Sequence, residues 1–186
     1  MKRIFIAINL PKEVKNELAK VQDEIRVNFE IDPMKWVNED NLHITLAFLG
    51  SVEKETLQSI ESELEKLDFA RFEFLLDDVK YVPSRERAKM IWSTGQGKQL
   101  NNLSREVDSI LTEVSGLRYS PDEFTPHVTL GRVKSFEFKN QPLEEIPLLE
   151  DMFVNLNFRI ESVDIMESKL KKGGPNYNKI KSINLN

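Results

Sequence analysis

Apolar positions along the chain fall into two rhythms. Residues 3–9 form a short, continuous, β-rich apolar run, which predicts a buried strand. Pro11 suits the first turn of a helix. Beyond it Val14, Leu18, Val21 and Ile25 recur at spacings of 4, 3 and 4. Lys12, Glu13, Lys15, Glu17 and Lys20 fill the gaps, so an amphipathic surface helix is expected. Leu57, Ile60, Leu64 and Leu67 predict a second helix. Leu100, Leu103, Val107, Ile110, Leu111 and Val114 predict a third, stopping at Gly116. Between these, Trp36-Val37 reads as a short extended piece and residues 43–49 as a strand ended by Gly50. Residues 72–82 and 88–93 read as a hairpin around the charged loop 83–87. Residues 124–133 predict another strand and 142–151 a short helix or loop. Residues 153–168 and 177–185 predict the last strands, joined across 171–175.

Hairpins mixed with crossovers predict an α+β fold of mostly antiparallel sheet rather than a doubly wound parallel one. A length of 186 residues fits one domain, 1–186, built of two lobes. An internal echo points to the lobes. Asn41-Leu42-His43-Ile44-Thr45-Leu46 and Thr125-Pro126-His127-Val128-Thr129-Leu130 each place His-x-Thr-Leu on a strand after a polar turn. The expected arrangement is pseudo-two-fold, with sheets lining a central cleft and helices outside.

Composition narrows the chemistry. The chain has no Cys, which removes disulfides, thiolate nucleophiles and Cys-ligated metals. Its two His are too few for a His-rich metal site, and no metal or other cofactor is expected. A net charge of −5 excludes the broad basic face of a nucleic-acid coat and leaves room for a local basic pocket. No apolar run reaches the length of a membrane span. The basic, apolar start lacks the length and cleavage site of a signal peptide. A cytoplasmic monomer is expected.

Both histidines share one context. Six of the 186 residues are Thr, so a random His has a ~3% chance of Thr two places on, and two doing so a ~0.1% chance. On a strand, alternation puts His43 and Thr45 on one face and Ile44, Leu46 and Phe48 on the other. His127 and Thr129 likewise share a face opposite Val128 and Leu130. Two imidazoles over one pocket suit general acid–base work near neutral pH, one accepting a proton while the other donates. Two Thr hydroxyls beside them can donate to an anion. This kit fits phosphodiester transfer. Phe5, Phe48 and Trp92 could stack on a base, as aromatics do for single-stranded RNA, but each sits in an apolar run and core packing is the favoured expectation. Tyr177, beside the Gly173-Gly174 turn, is either an edge of the site or an ordinary strand residue.

These motifs resemble those of the 2H phosphoesterase superfamily, and within it the RNA 2′,3′-cyclic phosphodiesterase family, also called 2′-5′ RNA ligases. Arg3–Ile8 resembles the opening strand. Trp36-Val37 with Asn41–Gly50 resembles the first signature, Phe124–Arg132 the second, and Glu167–Leu170 through Gly173-Gly174 to Tyr177 the closing segment. The resemblance implies metal-independent hydrolysis of RNA 2′,3′-cyclic phosphate ends to a 2′-phosphate, and reversible 2′-5′ ligation by the same site. It implies that His43 gives a proton to the departing 3′ oxygen and that His127 activates water. Thr45, Thr129 and Arg132 would hold the phosphate, and the partner would be an RNA end or oligonucleotide bearing that group. Strict alternation puts Arg132 on the face opposite His127, so it reaches the phosphate only if the strand ends or bends there. Two other readings stay open at this point: the same chemistry on a small cyclic nucleotide, and a nucleotide-binding module without turnover.

Overall fold

The computed structural model describes residues 1–115, 124–134, 138, 141–150, 152, 154–171 and 174–186. Strand β1 (Lys2–Asn9) is followed by helix α1 (Lys12–Val27), β2 (Met34–Trp36), a 3-10 turn (Glu39–Asn41), β3 (His43–Val52) and α2 (Lys54–Leu64). Then come β4 (Phe72–Leu76), β5 (Asp78–Val82), β6 (Met90–Thr94) and α3 (Lys98–Ser115). The order closes with β7 (His127–Val133), β8 (Leu156–Ile160), β9 (Ser162–Lys171) and β10 (Gly174–Asn184). All strand pairs are antiparallel among the described residues.

Seven strands run in the order β10-β9-β1-β3-β7-β6-β5, with β2 beside β7. The sheet is two halves. β3 and β7 meet through one described residue pair, Ile44 with Val128. On one side of that seam lie β3, β1, β9 and β10, and on the other β7, β2, β6 and β5. Helices pack on the outer faces. Ile4, Ile6 and Ile8 of β1 join Leu18, Ile25, Leu57, Leu103 and Leu111 in the main core. Phe5 and Ala7 point the other way, into a small cluster with Met166 and Tyr177.

Two expected strands are each interrupted. The run 72–82 breaks at Asp77, so only β5 forms the hairpin with β6, while β4 leaves to pair with β8. The run 153–168 breaks at Glu161 into β8 and β9. The predicted helix stop at Gly116 and the Gly173 turn lie outside the described residues.

The two halves repeat a distortion as well as a motif. In β3, Thr45 pairs with Ala7 and Ala47 with Ile6, leaving Leu46 as an extra residue. In β7, Thr129 pairs with Trp92 and Gly131 with Ile91, leaving Leu130 extra. A one-residue bulge reverses the alternation beyond it. Thr45 and Phe48 therefore share a face, and so do Thr129 and Arg132. The expectation that Phe48 sides with Ile44 and Leu46 is corrected by this bulge. Phe48 is 48% exposed, whereas Leu46 and Ala47 are buried.

Gln22, buried on the apolar face of α1, serves the second bulge. Its Nε2 donates to Leu130 O at 2.7 Å and to Val37 O at 2.8 Å. Val37 N–H also donates to Leu130 O at 2.9 Å. Glycine at 131 lets β2 lie close, because a Cβ there would meet Met34 Cε at 2.9 Å and the Trp36 ring at 3.2 Å. Gln22→Leu removes the buried donor and leaves two carbonyls under-satisfied. It should lower unfolding free energy by about 1–3 kcal/mol in urea titrations.

Candidate active site

The bulged faces of β3 and β7 form the floor of an open cleft of about 800 Å³. His43, Thr45, His127, Thr129 and Arg132 all line it. The five residues singled out in the sequence thus face one space. Phe5, Phe48 and Tyr177 line it too, on the side of β1 and β10. Phe5 is buried as expected from its apolar run, yet its ring faces the cleft. Trp92 departs from its expected place in the core by stacking on His127, with ring centroids 3.8 Å apart and 19° between planes.

Each histidine is oriented the same way. His43 Nδ1 donates to Asn41 O at 2.6 Å, and His127 Nδ1 donates to Thr125 O at 2.8 Å. A carbonyl only accepts, so the proton of each neutral ring sits on Nδ1 and leaves Nε2 as the free acceptor. Thr45 Oγ1 lies 3.0 Å from His43 Nε2 and donates to it in this tautomer. The supporting carbonyl is two residues before the histidine in both halves. That position is readable in the sequence, but a main-chain oxygen leaves no residue-type signal.

The turn carrying Asn41 is itself held. Asn38 Oδ1 accepts from Asp40 N at 3.0 Å, and Lys15 Nζ donates to Asp40 O at 2.8 Å. Asn41 Nδ2 donates to Pro175 O at 2.9 Å, tying the turn to β10. Opposite each histidine on the neighbouring strand stands a polar residue bonded to a carboxylate. Asn9 pairs with His43 and donates to Asp164 Oδ2 at 2.6 Å. Thr94 pairs with His127 and donates to Asp78 Oδ2 at 3.2 Å.

Aromatic packing around His43 is tighter than its sequence suggests. Phe5 lies 5.0 Å away and Tyr177 5.2 Å away, edge-on. Burial pushes the His43 pKa down to about 4, and the positive charges of Lys15 and Arg132, with that of His127 when it is protonated, add to the effect. His127 is also lowered, by burial and then by Arg132. Both rings are therefore neutral at neutral pH when no anion lies between them.

This neutrality has a consequence for stability. Below its ordinary pKa of 6.5, His43 takes a proton in the unfolded chain but not in the folded one until about pH 4. The unfolded state binds more protons across that window, so stability rises with pH through it and falls as pH drops from about 6.5 to about 4. His43→Gln should flatten this part of the profile in denaturant titrations run at several pH values. An unchanged slope would place the titrating group elsewhere.

Among the described residues, no cluster of three or more His, Asp or Glu is placed to hold a metal ion. No described helix is long and apolar enough to cross a membrane.

The twofold repeat has a counterpart in known proteins. The model of the family described as LigT-like phosphoesterase matches the chain twice in succession, at residues 8–92 and 93–177, with one His-x-Thr in each match. The chain belongs to the LigT-like phosphoesterase family. Similar proteins named RNA 2′,3′-cyclic phosphodiesterase include one from Methanocaldococcus jannaschii, 31% identical over 96% of this chain and 98% of the relative. Another, from Aeropyrum pernix, is 32% identical over 86% and 90%. Among solved structures, TT0787 of Thermus thermophilus superposes with a TM-score of 0.83 at 25% identity, covering 98% of this chain and 97% of that one. E. coli LigT in its apo form gives 0.76 at 23% identity, over 99% and 97%. Within this LigT-like phosphoesterase each repeat supplies one of the two His-x-Thr strands, β3 or β7, and the remaining strands are interleaved. Residues 8–92 also give β2, β5 and most of β6 to the half around β7, while residues 93–177 give β9 and the start of β10 to the half around β3. The cleft lies where the two halves meet.

Proposed function

We propose that the protein hydrolyses RNA 2′,3′-cyclic phosphate ends to 2′-phosphates by acid–base catalysis between its two histidines. The observation that carries this reading is the matched anchoring of both rings. Each Nδ1–H is fixed on a main-chain carbonyl and each ring lines the same cleft, beside a Thr hydroxyl. The names of the relatives support the substrate class.

A cyclic phosphate enters between the rings, its nonbridging oxygens taking donors from Thr45, Thr129 and Arg132. His127 Nε2 accepts a proton from water as the water oxygen bonds to phosphorus. The bond from phosphorus to O3′ breaks, and His43 gives O3′ a proton. The product keeps its phosphate on O2′. His43 must be protonated for its part, and in the empty cleft it is neutral. The phosphate's negative charge counters Arg132 and Lys15 and raises the pKa of both rings. Substrate binding and proton uptake are thereby coupled.

The test is product analysis with an oligonucleotide ending in a 2′,3′-cyclic phosphate. A 2′-phosphate is expected, with the rate unchanged by EDTA. Formation of a 3′-phosphate, or loss of turnover with EDTA restored by a divalent ion, would overturn the scheme.

A further inference from the structure

Lys35 has a chemistry that the two-histidine scheme leaves unused. On β2 it stands directly opposite Arg132 of β7. Opposed residues of an antiparallel pair project from one face, and like charges so placed destabilise the pair. Both residues line the cleft. Among the described residues neither forms an ion pair, and Arg132 contacts only the thioether of Met90 at 3.2 Å. Two adjacent cations face the cleft without an ion pair among the described residues, and the one described carboxylate that lines it, Asp40, is bound to neither, so the pair calls for anions from outside.

The position of the ammonium is specific. Lys35 Nζ lies 3.9 Å from where a Cβ on Gly174 would stand. Gly174 opens β10, in the other half of the sheet, and its φ of +129° is a conformation suited to glycine. Lys35 thus reaches from one half of the molecule across the cleft to the start of β10 in the other. Along β7 the order is His127, Thr129, Arg132, so the pair of cations lies at the end of the cleft away from His127. Asp40, which also lines the cleft from the turn before β3, disfavours a phosphate on its side.

We propose that Lys35 binds the phosphodiester joining the terminal nucleotide to its predecessor, which makes an RNA end a better substrate than a free cyclic mononucleotide. This rests on the cyclic phosphodiesterase reading. Arg132 and the two Thr serve the reacting phosphate, and Lys35 then needs a second anion. On an RNA end the nearest one is the next phosphodiester, one ribose away. A nucleoside 2′,3′-cyclic phosphate has none. The cleft volume of about 800 Å³ lies toward the upper end of the ~300–1,000 Å³ range of small-molecule sites, which leaves room beyond the reacting group.

The experiment compares kcat/KM on three substrates: a cyclic-phosphate-ended decanucleotide, a nucleoside 2′,3′-cyclic phosphate, and the same decanucleotide with an uncharged methylphosphonate at the last internucleotide linkage. Wild-type protein should favour the decanucleotide over the mononucleotide by about tenfold or more, the scale of one charge-assisted contact. Lys35→Gln should lose about tenfold on the decanucleotide and nothing on the mononucleotide, while Lys35→Arg keeps the preference. The methylphosphonate should lower the wild-type rate by the same factor, and on that substrate Lys35→Gln should do no further harm. The slope of log kcat/KM for the decanucleotide against log salt should become shallower by ~0.7 in Lys35→Gln, as expected for one lost phosphate contact on a single strand. Equal losses on oligonucleotide and mononucleotide, or a methylphosphonate turned over as fast as its parent, would overturn the assignment while leaving the phosphodiesterase reading intact. Turnover of no substrate by wild-type protein would overturn that reading, and the role of Lys35 with it.

Discussion

Alanine in place of His43 or of His127 should lower kcat/KM on a cyclic-phosphate-ended oligonucleotide by about 10²–10⁴, the usual worth of a positioned acid or base. Each ring is fixed by its Nδ1 bond to a carbonyl, so what the substitution removes is the Nε2 that the proposed scheme uses for proton transfer. The double variant should lose far less than the product of the two single losses, because acid and base act on one bond exchange. A substrate with a very good leaving group, such as a nitrophenyl phosphodiester, separates the roles. It should partly rescue His43→Ala, whose acid is then dispensable, and leave His127→Ala unrescued. Rescue of His127→Ala alone would mean that the two roles are reversed. Near-normal activity in either variant, with an unchanged melting curve, would end the two-histidine scheme.

Arg132→Met should lower kcat/KM by about 10²–10³, as loss of one fixed donor to a developing oxyanion does. Arg132→Lys should fall in between, since it keeps the charge and loses the planar fork. The same variant carries a second readout. The Arg132 charge contributes to the lowered pKa of both histidines. Removing it favours the protonated rings, so both pKa values should rise toward the ordinary range in NMR titrations of the free protein. The acidic limb of the pH–rate profile should move upward with them. A fall in rate with no movement of either histidine would mean that Arg132 acts at a distance from the rings.

Helices were the most legible part of the fold, because each repeats apolar residues over three or more turns. Val14, Leu18 and Ile25 are all buried as their spacing implies. The histidines were legible because a rare residue type occurs twice in one context. Bulges were not, since one extra residue carries no composition of its own. Leu46 and Leu130 look like ordinary alternating strand residues, and the face of Phe48 and of Arg132 depends on them. Arg132 could be placed only conditionally for that reason. The break at Asp77 was hidden in the same way, inside a run whose two parts both alternate. Lys35 carried no signal because its meaning lies in the residue across the strand, which sequence order puts 97 positions away.

The residues that follow the two bulges have a consequence of another kind. Phe48 and Arg132 occupy matching places, each third after the threonine of its repeat. Two identical copies of one half, paired about a true axis, would carry the same side chain at both places. Such a dimer could not tell one end of its ligand from the other, and half of all encounters would be presented backwards. In one polypeptide the two places are encoded separately and can differ. One now offers an aromatic ring and the other a guanidinium, so the cleft acquires a polarity that its backbone lacks. A ligand with a flat ring at one end and a negative charge at the other would meet a matching partner in only one of its two orientations.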